Sequence, residues 1–263
     1  MSDHRDAPVD FNPSAADYRR YRVGFPPEFF ARLQGIGVGL PGQRVVDFGT
    51  GTGTIARGMA QRGCQVIGVD PATRMLDEAR ILAEEDGVSV RYLAAPAEAT
   101  GLPARSADVV TAGQCWHWFD RARAANEAKR LLVPQGRLVI AHFDWVPLRG
   151  NIIAATHALI LEHNPAWATT RPGNTPGHYP RWFEDVASAG FVDLESFTFD
   201  VSVAYSHAAW RGRLRASAGV GASLPPEGVA RFDAELARLL AEDFPSDPLD
   251  VPHRVFALLA TSR

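Results

Sequence analysis

The stretch Val45-Val46-Asp47-Phe48-Gly49-Thr50-Gly51-Thr52-Gly53 decides the fold. Two β-branched residues lead through an acidic residue into alternating glycines, and a helical pattern follows. A buried strand that ends in a glycine turn brings backbone amides close to a ligand. The spacing discriminates between ligands. A dinucleotide fingerprint, G-x-G-x-x-G, would put its third glycine at Thr54 instead of Gly53, and it has no acidic residue two positions ahead of its first glycine. A tight turn without a ligand is the plain alternative, but a triple of alternating glycines is uncommon in such turns.

Outward from this turn, strand and helix patterns alternate. Strands are expected at 44–48, 65–69, 88–93, 107–112 and 136–143, and helices at 54–61, 72–84 and 121–132. That alternation implies a parallel sheet with right-handed crossovers. Upstream, Pro26 and Pro27 precede a helix expected at 27–33, and glycines 35, 37, 39 and 42 form a link into the first strand. The pattern breaks over 145–180, where a helical stretch at 152–162 runs into a loop rich in Pro, Gly, Thr and Trp. A helix at 182–189, a long strand at 192–203, a mostly helical 207–244 and a last strand at 255–260 complete the chain. The expected domains are an N-terminal lid (1–34), a ligand-binding core (35–145), substrate-cap insertions with helix and strand six (146–224), and a C-terminal helix with the last strand of the core (225–263).

Composition narrows the function. A chain of 263 residues fits one large α/β domain with an added cap. A formal net charge of −3 and the lack of a Lys/Arg run leave no electrostatic footprint for nucleic acid. Cys64 and Cys115 form neither a metal spacing nor a disulfide framework, which suits a reducing cytoplasm. Residues 1–12 are charged and polar, unlike a signal peptide, and no apolar run approaches the ~20 residues that cross a bilayer. Monomer and homodimer both remain open.

In open α/β sheets, ligands bind beyond the carboxyl ends of the strands. The second strand ends Gly68-Val69-Asp70-Pro71, where an acidic side chain suits a bidentate bond to ribose hydroxyls; capping of the next helix is the alternative. Ala95-Pro96-Ala97-Glu98 follows the third strand. The fourth ends Gln114-Cys115-Trp116-His117-Trp118-Phe119-Asp120, an aromatic run costly to expose without a partner; a buried wall with a core histidine is the alternative.

The combination of Asp47-x-Gly49-x-Gly51-x-Gly53, Asp70 and Gln114-x-x-His117-Trp118-Phe119-Asp120 resembles the class I S-adenosylmethionine (SAM) methyltransferases. Within them it is similar to the small-molecule enzymes related to the ubiquinone/menaquinone and trans-aconitate methyltransferases. The resemblance covers about residues 15–145. It implies an α/β, Rossmann-like, doubly wound fold with a seven-stranded, mostly parallel sheet and helices on both faces. SAM would be the cofactor and S-adenosylhomocysteine the product, with no metal. Gly49, Thr50 and Gly51 would hold the methionine part, and Asp47 would balance its ammonium. Asp70 and Pro71 would face the ribose, Met75 would flank the adenine, and Gln114 would lie near the methionyl end. Ala97 and Glu98 would border the adenine, although Pro96 stands where the family often has Asp. Tyr18, Tyr21 and Arg22 would belong to the lid, Tyr21 and Arg22 toward the cofactor and Tyr18 toward the substrate.

Methyl transfer from a sulfonium is an in-line displacement that needs approach geometry and exclusion of water. The histidines show no metal-ligand spacing. A base helps only where the acceptor must lose a proton. His117 and His142, at the ends of the fourth and fifth strands, are the candidates, with a structural or substrate-orienting role as the alternative. A carboxylate acceptor would need no base and an arginine clamp instead, for which Arg149, Arg171, Arg181, Arg211 and Arg215 are available. Trp116, Trp118, Trp145 and Trp182 are the candidate substrate contacts, and with Trp167 and Trp210 they favour an aromatic small-molecule acceptor, although core packing could claim most of them. The expectation is methyl transfer to oxygen or nitrogen of a small molecule. The rival readings are carboxylate methyl-ester formation, a nicotinamide-dependent oxidoreductase and a non-catalytic SAM-binding protein.

Overall fold

The computed structural model describes residues 23–170 and 177–263. Tyr18, Tyr21, Arg22 and Arg171 lie outside the described residues. The elements run α1 (Pro27–Gly35), β1 (Arg44–Phe48), α2 (Thr54–Ala60), β2 (Gln65–Asp70), α3 (Thr73–Glu85), β3 (Val90–Ala94), β4 (Ala107–Gly113), α4 (Arg121–Leu131) and β5 (Leu132–Trp145). Then come α5 (Ile152–His163), α6 (Pro180–Ser188), β6 (Val192–Tyr205), α7 (His207–Arg215), α8 (Pro226–Asp243) and β7 (Leu249–Thr261).

The strands form one seven-stranded sheet in the order β3-β2-β1-β4-β5-β7-β6. β1 pairs in parallel with β2 and with β4, β2 with β3, and β4 with β5. β7 runs against β5: Gln135 donates to the Ser262 carbonyl at one end and Val146 to the Pro252 carbonyl at the other. Strand order therefore reverses between β1 and β4, and a ligand crevice opens at the carboxyl ends of strands on either side of such a reversal.

The structure starts two strands well ahead of their expected first residues. β5 begins at Leu132 rather than 136, with an irregularity in its pairing to β4 between Ala107 and Val109 and a left-handed Gln135 (φ 66°). β7 begins at Leu249 rather than 255, because Leu249, Val251 and His253 alternate buried against more exposed Asp250, Pro252 and Arg254. Pairing along a sheet overrides the weak local signal of proline and charge.

Among the described residues there are two compact units. One comprises 24–144, 177–200 and 254–263; the other draws on 145–170 and 201–253. α1 belongs to the first unit. In that unit, Phe48, Val110, Ala112, Leu138, Ile140, Leu258 and Ala260 from the strands pack with Trp116, Leu131 and Val186. α4 contributes Ala124, Ala125, Ala128 and Leu131, a stripe at helical spacing, and Asp120 caps its start by accepting the Arg123 amide. In the second unit, Ile153, Ile160, Trp210, Leu214, Phe232, Leu236 and Leu240 form the core. There Trp145 lies 4.9 Å from Trp210, ring centre to ring centre, with the Arg213 guanidinium 4.9 Å over its ring.

Candidate functional site

β1 delivers its glycine turn to the strand-order reversal. Gly49, Gly51 and Gly53 all take positive φ, 55°, 55° and 80°. Two of the three also need the missing side chain. A Cβ on Gly49 would meet the Cys115 Cβ at 2.8 Å, and one on Gly53 would meet the Tyr92 hydroxyl at 2.7 Å. The turn is held from inside: Thr50 donates its amide to the Val69 carbonyl, and Gly53 donates to the Thr50 carbonyl. Cys115, at the end of β4, braces it further through a thiol bond to the Phe48 carbonyl at 3.1 Å.

Asp47 is buried at the head of this turn and accepts hydroxyl bonds from Thr50 (2.7 Å) and Thr111 (2.6 Å). Burial pushes its carboxyl up to about 6, against the pull of those two hydroxyls. Asp70, at the end of β2, accepts the Gly51 amide on one oxygen (2.9 Å) and the Ala72 amide on the other (2.8 Å). Burial raises its pKa too, opposed by those two amides. Asp70 therefore closes a turn ahead of α3 without capping it, since the N-cap is Ala72 with no side-chain cap bond, and it also ties β2 to the glycine turn. Each carboxylate oxygen retains a second lone pair for a hydroxyl donor. Met75, on α3, reaches back over the turn, its Cε 3.5 Å from where a Gly51 Cβ would lie. Pro71 is exposed beside Asp70.

The ends of β3 and β4 hold the remaining candidates. Ala97 is buried. The Glu98 carboxylate accepts the Asp120 amide at 2.8 Å and so links the loop after β3 to the start of α4. Gln114 takes a left-handed conformation (φ 61°), donates its amide to Ala141 and its side-chain amide to the Phe143 carbonyl at 2.8 Å. These bonds tie the chain after β4 to the end of β5.

The aromatic run after β4 divides. Trp116 is fully buried and donates its indole N–H to Asp185 at 3.1 Å, while Trp182 on α6 is 4% exposed and stacks on Tyr179 at 3.9 Å. Both are expected substrate contacts from the sequence, and both are packed at the strand ends. His117 and Trp118 are exposed, Trp118 by 50%, with ring centres 4.6 Å apart. His142, near the end of β5, is buried, its ring 5.3 Å from that of His117. The structure thus brings both candidate histidines together.

Sequence reasoning missed Tyr92, Asp144 and Tyr179. Asp144 and Tyr179 both approach His142 Nδ1. Asp144 carried a signal, since residues i and i+2 of a strand share a face. Tyr179 carried none, because tertiary folding alone brings it to β5. Among the described residues no cluster of His, Cys, Asp and Glu could hold a metal ion, and no helix is long and apolar enough to cross a membrane.

Comparison with known proteins agrees with this geometry. A family model described as "Methyltransferase domain" matches residues 46–140. An uncharacterized methyltransferase of Mycobacterium tuberculosis is 36% identical over 157 residues, 57% of this chain and 60% of that protein. The demethylmenaquinone methyltransferase of Thermus thermophilus is 40% identical over 108 residues, 40% of this chain and 49% of that protein. The match thus spans less than two-thirds of the length of these relatives. Among solved structures, phosphoethanolamine N-methyltransferase 2 of Haemonchus contortus in complex with SAM superposes with a TM-score of 0.57 at 19% identity, covering 96% of this chain and 56% of that one. A candidate type II methyltransferase of Anaeromyxobacter dehalogenans gives 0.60 at 21% identity, covering 92% of this chain and 98% of that one. At such identities the structural likeness speaks for the fold alone. The glycine turn and the strand-order reversal both lie within residues 46–140, the stretch that the methyltransferase-domain model matches.

Proposed function

We propose that the protein transfers a methyl group from SAM to an oxygen or nitrogen of a small-molecule acceptor. The observation that carries this reading is the glycine turn closed by Asp70: a side-chain-free loop whose central amide is bonded to an acidic residue at the end of the neighbouring strand. The residues present suit SAM. The open turn accommodates the methionyl chain, Asp47 supplies negative charge for its ammonium, and the unused lone pairs of Asp70 suit the ribose hydroxyls. Met75 offers a soft apolar surface to the adenine. When bound, the cofactor supplies an electrophilic methyl carbon on sulfur, with a neutral thioether as leaving group. The chain contributes position and dryness: a rigid turn on the end of a buried strand, and a wall of buried aromatic side chains behind the ends of β4 and β5.

The exposed Trp118 face suits a flat, aromatic acceptor. Two buried, unbridged cysteines suit a reducing cytoplasm as the place of action. Calorimetric titration of the purified full chain with SAM and with S-adenosylhomocysteine tests the reading. Saturable binding of both at one site per chain is the expected result, and binding of neither overturns it.

A further inference from the structure

The buried polar cluster at the end of β5 goes a step further than methyl-donor binding. His142 is 6% exposed, and its Nδ1 lies 3.3 Å from the Asp144 carboxylate and 3.3 Å from the Tyr179 hydroxyl oxygen. The Tyr179 hydroxyl itself donates to the other Asp144 oxygen. Its hydrogen is therefore committed, and toward His142 it can only accept. Both groups beside Nδ1 are acceptors, so Nδ1 carries the ring proton. In a neutral imidazole that leaves Nε2 as a bare lone pair. Nε2 is buried and has no hydrogen-bond partner. Burying a polar atom in that state is costly, so its retention points to a partner that arrives from outside.

The surroundings say where. Trp182 and Tyr179 wall the imidazole at 4.8 and 5.0 Å between ring centres, and both are buried. On another side stands His117, edge-on at 5.3 Å, exposed and adjoined by the half-exposed Trp118. His117 and Trp118 are the exposed neighbours of this cluster, so an aromatic acceptor laid on Trp118 would approach His142 from their side.

We propose that Asp144 and Tyr179 are positioning residues that hold His142 as the proton acceptor for a phenol-type hydroxyl acceptor. This rests on the methyltransferase reading. As the acceptor oxygen forms its bond to the methyl carbon, the carbon–sulfur bond breaks with its electron pair going to sulfur, and the hydroxyl proton passes to Nε2. The resulting imidazolium is stabilised by the Asp144 carboxylate through Nδ1–H and later returns its proton to solvent. A carboxylate acceptor has no proton to give, and nothing in this cluster would serve it.

The test has two arms, both on the full chain. Long-range proton–nitrogen spectra of protein labelled with 15N-histidine, recorded with S-adenosylhomocysteine, report the tautomer of His142, its signal identified by its loss in His142→Gln. The expected result is a protonated Nδ1 and an unprotonated Nε2, with that preference lost in Asp144→Asn and reduced in Tyr179→Phe. A protonated Nε2 in the unaltered protein, or a tautomer indifferent to Asp144→Asn, overturns the proposal. The second arm measures S-adenosylhomocysteine release with simple phenols and, separately, simple carboxylic acids. Phenols are expected to turn over, with kcat falling ~100-fold or more in His142→Gln and ~10-fold in Asp144→Asn at little change in KM. Turnover confined to carboxylic acids, or phenol turnover unaltered in His142→Gln, overturns it. Failure of SAM to bind in calorimetry sinks the methyltransferase reading instead, and the tautomer measurement separates the two failures.

Discussion

The backbone amide of Gly51 donates to the Asp70 carboxylate at 2.9 Å, so the turn after β1 and the end of β2 are one hydrogen-bonded unit. Asp70 thus has a structural duty even without a ligand, and the proposed ribose contact comes on top of it. Asp70→Ala is expected to weaken SAM binding ~10–100-fold, the range for losing hydrogen bonds to a charged group. Asp70→Asn, which keeps one carbonyl acceptor, should fall between. Calorimetry checks both. An unchanged Kd in Asp70→Ala removes the ribose role and leaves only the structural one.

The Gly53–Tyr92 contact makes a second, separable prediction. In Gly53→Ala the new methyl would meet the Tyr92 hydroxyl at 2.7 Å, and the residue would hold φ 80°. Overpacking of this kind costs ~1–3 kcal/mol, and each kcal/mol lowers the melting temperature by ~2–4 °C in a chain of this size. Adding Tyr92→Phe removes the clashing oxygen. The double variant is expected to melt above the sum of the two single effects, and simple additivity in thermal denaturation would show that the clash is not the cause.

Asp47 should make stability and binding depend on pH in opposite senses. Its carboxyl is raised from 3.8 to about 6 by burial, so the folded chain holds that proton more tightly than the unfolded one. The contribution to stability is complete below the unfolded value and is lost as pH rises through about 6. Denaturant titrations of the unaltered protein against Asp47→Asn should show the difference shrinking between those limits and levelling above them. The cofactor's ammonium favours the carboxylate, so SAM affinity is expected to rise over the same window. Binding near the upper limit should release a fraction of a proton, measured by calorimetry in buffers of different ionisation enthalpy. Affinity flat across this window would detach Asp47 from the ammonium.

Trp116 was read from sequence as a substrate contact, and its burial predicts otherwise. Trp116→Phe keeps most of the apolar bulk but loses the indole bond to Asp185, which then retains its ion pair with Arg121 at 3.2 Å. A stability loss of ~1–3 kcal/mol, with SAM affinity unchanged, is expected from equilibrium denaturation and calorimetry. A variant that keeps full stability and SAM affinity but shows a raised acceptor KM would return Trp116 to the substrate contacts.

The parallel half of the sheet was legible because its signals are local. β1, β2 and β4 are short apolar runs closed by glycine or acidic residues, and α2, α3 and α4 follow each turn with helical periodicity. Boundaries there shift by a residue or two. Less was legible at β5 and β7, whose outer portions contain Pro134, Gln135, Pro252 and charged residues that read as turn or loop. Pairing along the sheet recruits them.

The chain's own order of residues determined the glycine turn: glycines at 49, 51 and 53 can take positive φ whatever surrounds them, and Asp47 and Asp70 stand at fixed steps from strands that the pattern places side by side. Only the tertiary structure decided how the aromatic and histidine side chains beyond β4 and β5 are arranged. It buried Trp116 and Trp182, left Trp118 open, and carried Tyr179 from within the expected insertion to His142 and Asp144. The reason is physical. A turn's conformation is a property of consecutive residues, whereas the burial of an indole and the tautomer of an imidazole are set by neighbours that only long-range packing supplies.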